Sequence, residues 1–234
     1  MYLYGASGHA KVIIDIIEAM GEHIEGIIDD NPTSDMLHGY PVTKGYHGQS
    51  PVIIAIGSNE VRYRLATMLP CRWATVIHPA AIVSPSAMVG EGTVVMQGTI
   101  IQSDAVIGRH VIVNTGASID HECRIGDFAH ISPHATLCGN VTVGDGAWVA
   151  AGCIVLPGVK IGRWSVIGAG SVVSHDIPDG VLAVGNRVHV VRPINQDLLN
   201  IINKMRGAIN CFSPSFFIPC GCGAPLMINN ERRA

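Results

Sequence analysis

Residues 107–125 read Ile107-Gly108-Arg109-His110-Val111-Ile112-Val113-Asn114-Thr115-Gly116-Ala117-Ser118-Ile119-Asp120-His121-Glu122-Cys123-Arg124-Ile125, with an aliphatic residue at every sixth place. The register runs unbroken in both directions, from Val83, Val89, Val95 and Ile101 up to Ile161, Ile167 and Val173, sixteen positions in all. The fourth residue after each is mostly small, as at Ala105, Ala117, Cys123, Ala129, Ala135 and Cys153, so each hexad offers one large and one small inward group. A second period lies on top of the first: Gly90, Gly108, Gly126, Gly144 and Gly162 recur every eighteen residues. Three hexads therefore make one turn of a triangular coil. A single coil cannot bury its own apolar face, so the pattern predicts stacked parallel rungs about 4.8 Å apart.

Residues 1–78 follow another grammar. Tyr2–Tyr4 reads as a strand, Gly5–His9 as a turn, and Val12, Ile13, Ile16, Ile17 and Met20 as the apolar stripe of a helix closed by Gly21. Ile24–Ile28 and Pro51–Ile56 read as further strands, the first ending in Asp29-Asp30 and the second in Gly57-Ser58-Asn59, with a helix over Glu60–Leu69. The class is thus an α/β, Rossmann-like half-fold in residues 1–78 followed by an all-β solenoid in 79–190. Residues 191–234 form an extension with a helical stripe at Leu198, Leu199, Ile202 and Met205, then a tail carrying Cys211, Cys220 and Cys222, whose three cysteines and C-x-C spacing are a weak signal for a metal knuckle beside the favoured reading of a disordered or loosely packed tail.

In half-folds of this type a glycine turn after the first strand brings main-chain amides to a phosphate, and an acid after the second strand meets a ribose hydroxyl. Ser7, Gly8, His9, Asp29, Asp30 and Gly57 are the candidates for a nucleotide handle. The same glycines would equally serve a tight turn with no ligand. With 48% hydrophobic and 14% charged residues and a formal net charge of −3, the composition is that of a compact domain with no basic excess for nucleic acid. No leader and no run of eighteen apolar residues is evident, so the expectation is a cytoplasmic protein without a transmembrane segment. Seven cysteines, two of them at inward hexad positions, do not imply disulfides.

Taken in order, Tyr4-Gly5-Ala6-Ser7-Gly8-His9, Asp29-Asp30, Ala55-Ile56-Gly57-Ser58-Asn59-Glu60-Val61-Arg62, Ile77-His78-Pro79 and Asp120-His121-Glu122-Cys123 resemble the sugar acetyltransferases of the NeuD and PglD type. These belong to the hexapeptide-repeat, left-handed β-helix acyltransferases. The resemblance covers residues 1 to about 190. It implies a left-handed coil, acetyl-CoA as cosubstrate, no metal, a homotrimer with active sites between subunits, and acetylation of an amino or hydroxyl group on a sugar for surface glycan synthesis. The expected acceptor is a 4-amino sugar linked to UDP or GDP, with sialic acid O-acetylation as the near alternative.

Acetyl transfer to an amine needs a base, and a neutral imidazole with an ordinary pKa of about 6.5 suits the task. His121, two places after Ile119 where the coil bends, is the candidate, and the resemblance makes Glu122 its orienting acid, ahead of Asp120. Gly139 lies eighteen residues on, one coil above His121, where its N–H can face a developing oxyanion. Gly152 and Gly170 repeat in the same way above His134 and clear a vertical lane. By resemblance His130 approaches the thioester, and Ala151 and Ala169 line the pantetheine arm; Asn114, seven residues before His121, is a candidate to meet the sugar, or else a solvated corner amide suited to the turn. The segment Gly185-Asn186-Arg187-Val188-His189 departs from the family's Gly-x-Pro-Ala-Lys-like ending near adenine. Two other classes stay open: a γ-carbonic-anhydrase-like zinc protein using some of His110, His121, His130 and His134, and a non-catalytic sugar-nucleotide-binding scaffold.

Overall fold

The computed structural model describes residues 1–194, so the helix expected near Gln196–Met205 and the cysteine-bearing tail lie outside the described residues. The N-terminal unit contains β1 (Tyr2–Tyr4), α1 (Gly8–Ala19), β2 (Gly26–Asp29), β3 (Met36–Leu37), β4 (Tyr40–Lys44), β5 (Val52–Ile54) and α2 (Asn59–Met68). Its sheet has the order β3-β4-β2-β1-β5, parallel except where β3 returns antiparallel to β4. The β3–β4 hairpin has no counterpart in the sequence reading, because Met36 and Leu37 are too short a run to show alternation. Its two-residue loop, His38-Gly39, has positive φ at both residues, as a type I′ hairpin turn requires.

From residue 76 the chain winds into the expected triangular coil. The first face stacks the two-residue strands at 82–83, 100–101, 118–119, 136–137, 154–155 and 172–173; the second those at 88–89, 106–107, 124–125, 142–143 and 160–161. The third face stacks 76–77, 94–95, 112–113, 130–131, 148–149 and 166–167, then Val181–Val184, which pairs antiparallel with His189–Pro193. The expected domain boundary at 78 therefore falls just after the first solenoid strand, since Val76–Ile77 already pairs with Val94–Val95. The period-six residues from Val95 to Val173 are buried and fill the axis together with the small ones. The inward hydroxyls and thiols also close the corners. Thr93, Thr99, Cys123 and Cys153 each donate to the carbonyl fifteen residues on, at Gly108, Asn114, Cys138 and Gly168.

The eighteen-residue glycine ladder has a steric origin. A Cβ on Gly126 would stand 2.6 Å from the main-chain nitrogen of Asp145 and 2.4 Å from its Oδ1, and Gly90, Gly108, Gly144 and Gly162 meet the next level of chain just as closely. At each corner from 92 to 170, moreover, the third residue after the aliphatic one has positive φ. These positions are Gly at 92, 98, 116, 146, 152, 158 and 170, and Asp104, His110, Glu122, Phe128, His134, Asn140 and Trp164 at the rest. A non-glycine side chain there costs about 1–2 kcal/mol, so those seven corners carry strain that the glycine corners do not.

The two units share one apolar core. Ile13, Ile14, Ile16 and Ile17 of α1 cluster with Val76, Val94, Met96 and Ile112 on the third face. Where the second face turns into the third, His110 is 4% exposed, stacks on Phe128 at 5.2 Å and takes the edge of Trp73. Burial, then the Arg62 and Arg109 cations, push His110 down to about 4, and its buried Nδ1 has no hydrogen-bond partner among the described residues. The unfolded chain takes up this proton near 6.5 and the folded one only near 4, so between those values the unfolded state binds more protons. Stability from this residue is therefore complete above pH 6.5 and is lost as pH falls to 4, by an amount on the order of 3 kcal/mol. Denaturant midpoints measured across that window should fall in the wild type and flatten in His110→Asn; equal slopes would refute the assignment.

Candidate active site

His121 sits where the first face turns into the second. The corner geometry puts Glu122 in the left-handed region with φ 59° and leaves His121 just before it, outside the stacked strands. Asp120 Oδ1 accepts the His121 main-chain N–H at 2.8 Å, so this acid shapes the turn and does not orient the ring. Glu122 Oε2 lies 3.3 Å from His121 Nδ1, with the two side chains 64% and 58% exposed. A proton on Nδ1 directed at the carboxylate leaves Nε2 with a free lone pair, the form a general base needs. Nε2 faces Gly139 one coil above: a Cβ there would be 2.6 Å from Nε2 and Cε1. Only glycine accommodates the ring in this position. The Gly139 N–H meets no acceptor among the described residues.

A second group lies at the far side of the first face. The Asn114 side chain accepts the Thr115 N–H through Oδ1 at 2.8 Å, which turns its Nδ2 toward His130 Nε2 at 3.1 Å. In that arrangement Nε2 accepts, and a neutral His130 carries its proton on Nδ1. His130 is buried and stacks near Trp148, whose indole N–H donates to Ser132 Oγ at 2.7 Å. Where the third face turns into the first, the His134 ring fills the space over Gly116, while Cβ atoms on Gly152 and Gly170 would meet nothing within 4 Å. Beside them Ala151 and Ala169 are exposed, so this corner carries an open lane. One chain thus places His121, Glu122 and Gly139 at one corner and His130, Asn114, Ala151 and Ala169 at or beside another.

In the N-terminal unit Gly5 is required, because its φ is 113° and a Cβ would stand 2.7 Å from Ile56 Cγ1. Asp29 Oδ2 accepts from the Ala6 N–H and Oδ1 from the Asn31 N–H, both at 2.8 Å, so this carboxylate holds the glycine turn closed. Tyr4 donates its hydroxyl proton to Asp30 Oδ1 at 2.7 Å, and burial followed by that acid raises the Tyr4 pKa. Ser7 caps α1 without a side-chain bond, Gly8 opens that helix, His9 is half-buried, and Gly57 precedes Ser58, whose Oγ accepts from the Val61 N–H.

Cys123 is fully buried and its thiol is pushed up by that burial, which removes it as a nucleophile. His110, His121, His130 and His134 lie at four separate places on the coil, and among the described residues no three His, Cys, Asp or Glu side chains are grouped to hold a metal. A shallow cavity lined by Glu60, Tyr63, Arg109, Phe128 and Trp164 opens one corner away from His121. The segment 185–187 closes the top of the coil, with the Gly185 N–H donating to Ser171 Oγ at 3.0 Å. No described helix is long and apolar enough to cross a membrane. Sequence reasoning assigned no role to Asn59 and Arg62, which join α2 to the coil.

Residues 1–69 match the family described as PglD N-terminal domain, and residues 140–175 the family described as bacterial transferase hexapeptide (six repeats). PerB from Caulobacter crescentus, solved with CoA and GDP-perosamine, is 39% identical with a TM-score of 0.78, covering 82% of this chain and 96% of that one. The acetyltransferase domain of PglB from Neisseria gonorrhoeae, solved with acetyl coenzyme A, is 34% identical with a TM-score of 0.76, covering 81% and 98%. The UDP-N-acetylbacillosamine N-acetyltransferase of Bacillus subtilis is 43% identical over 103 residues, 38% of this chain and 48% of that enzyme. The chain spans about half or less of the length of the curated relatives it matches. An α/β unit running into a left-handed parallel β-helix, matched along nearly the whole length of PerB, makes this chain a member of the PglD-type hexapeptide-repeat acyltransferases.

Proposed function

We propose that this chain transfers the acetyl group of acetyl-CoA to the amine of a sugar carried on UDP or GDP. The observation that carries the reading is the His121 ring, held between the Glu122 carboxylate and the side-chain-free Gly139, on a coil joined to a half-fold suited to a nucleotide. The names of its relatives support the substrate class, since one was solved with GDP-perosamine and CoA and another acts on a UDP-linked sugar. Acetyl-CoA supplies the activated thioester. His121 Nε2 accepts the proton of the attacking amine and then delivers it to the departing thiolate, so proton and leaving group balance without a covalent acyl-enzyme. Glu122 stabilises the imidazolium formed between those steps, and the Gly139 N–H faces the carbonyl oxygen as charge develops on it.

His121 and the Ala151–Ala169 lane occupy different corners of one coil. A homotrimer that sets the lane of one subunit against the His121 corner of its neighbour would complete the site, with His130 near the thioester and Asn114 near the sugar. Ser7, Gly8, His9, Asp30 and Gly57 form the nucleotide handle, and Asp29 supports it by holding the turn. A cytoplasmic site of reaction is part of the same proposal. Incubation with acetyl-CoA and a panel of UDP-, GDP- and dTDP-linked amino sugars, against free and CMP-linked sialic acid, tests the reading. CoA release with an N-acetylated nucleotide sugar is expected; acetylation of sialic acid hydroxyls alone would overturn it.

A further inference from the structure

Arg62 is 1% exposed, yet it stands on α2 among carbonyls rather than at the surface. Its Nε donates to His110 O at 3.0 Å. Nη1 donates to Ile56 O at 3.3 Å and Gly57 O at 3.1 Å, and Nη2 to Phe128 O at 2.8 Å and Ala129 O at 3.2 Å. One planar guanidinium thus grips the loop that ends at Gly57 and two successive coils. Asn59, three residues earlier, repeats the grip one level higher, with Nδ2 donating to Gly146 O at 3.0 Å and Ala147 O at 3.2 Å. The carbonyl pairs 128/129 and 146/147 are eighteen residues apart, one coil step of about 4.8 Å. Three residues of α-helix rise about 4.5 Å, so Asn59 and Arg62 meet successive rungs in register. Tyr63, on the next residue, places its ring edge-on against Phe128 at 5.2 Å and Trp164 at 5.9 Å.

The consequence concerns the geometry between two binding regions. Ala129, held by Arg62, immediately precedes His130, and His130 is paired with Asn114. Gly57, held by the same guanidinium, belongs to the nucleotide handle. We infer that Arg62, seconded by Asn59, is a positioning residue that fixes the nucleotide loop against the coil, and so sets where a nucleotide-linked amine arrives relative to the acetyl group. The inference rests on the acetyltransferase reading. Arg62 need touch neither substrate for this; it acts through the Gly57 loop and the 128–130 turn.

Arg62→Lys keeps the charge but offers a point donor in place of a fork, so it cannot hold both carbonyl pairs and the His110 carbonyl together. A misplacement of about 1 Å costs on the order of 10²-fold in rate. In the variant, kcat for the nucleotide-linked amino sugar is expected to fall by roughly that factor, with KM for acetyl-CoA and for the nucleotide sugar near wild type. Asn59→Ala should show the same split, more weakly. Rates are taken well below the thermal midpoint of each variant and per folded molecule. A lower midpoint with unchanged kcat would show a purely structural role and overturn the inference, as would a rise in KM alone. A wild-type chain that acetylates no nucleotide-linked amine would instead sink the acetyltransferase reading, and this inference with it.

Discussion

His121→Ala is expected to lower kcat for acetyl transfer by about 10²- to 10⁴-fold while the folded structure is retained. The side chain is 58% exposed, so the change in stability should stay within about 0.5 kcal/mol. KM for both substrates should hardly move, because the ring accepts a proton in the transition state and is not needed to bind either one. Glu122→Gln keeps the shape of its partner but removes the charge that steadies the imidazolium, and a smaller loss of kcat is expected. Steady-state kinetics of the two variants beside a thermal melt decide the matter. Turnover retained in His121→Ala, with the fold intact, would remove the imidazole from the mechanism.

The second large effect is on stability. Gly126→Ala puts a methyl group 2.6 Å from the Asp145 nitrogen, which is main chain and cannot swing aside as a side chain end can. Relief requires the coils to separate, yet they are tied by Gly126 N to Val143 O at 2.7 Å and by Asp127 N to Asp145 Oδ1 at 3.0 Å. Overpacking of this kind costs about 1–3 kcal/mol or more. Gly152→Ala, where a Cβ would meet nothing within 4 Å, controls for the glycine itself, although its φ of 66° brings strain of its own. Denaturant midpoints should therefore fall further for Gly126→Ala than for Gly152→Ala. The reverse order would show that corner conformation outweighs the contact between coils.

The coil was legible because its determinants are local and repeated: each aliphatic residue from Val83 to Val173 states its own facing, and eighteen-residue arithmetic placed Gly139 over His121 correctly. What that arithmetic could not reach were contacts whose second partner is a main-chain oxygen. Arg62 meets carbonyls 48, 66 and 67 residues away, and a carbonyl has no letter in the sequence. Asp29 was legible as the acid after β2, but its bond to the Ala6 N–H depends on how closely β1 and β2 lie. The Asn114–His130 pair is intermediate: the coil period places His130 one level above Ile112, two residues before Asn114, and the remaining offset is a matter of side-chain direction.

The match between helix rise and coil step also bears on how such a chain can grow. The hydrogen bonds from Asn59 and Arg62 described above end on coil residues 110–147, and the Tyr63 ring reaches Trp164, while the coil itself continues to residue 173 and its closing strands. Duplicating or deleting one eighteen-residue unit above that level would change the length of the solenoid and leave the docked helix, and with it the attachment of the N-terminal unit, in its original register. The fold is in this sense modular at one end only: its upper coils are free to vary by whole turns, and its lower ones are bound to the partner unit they carry.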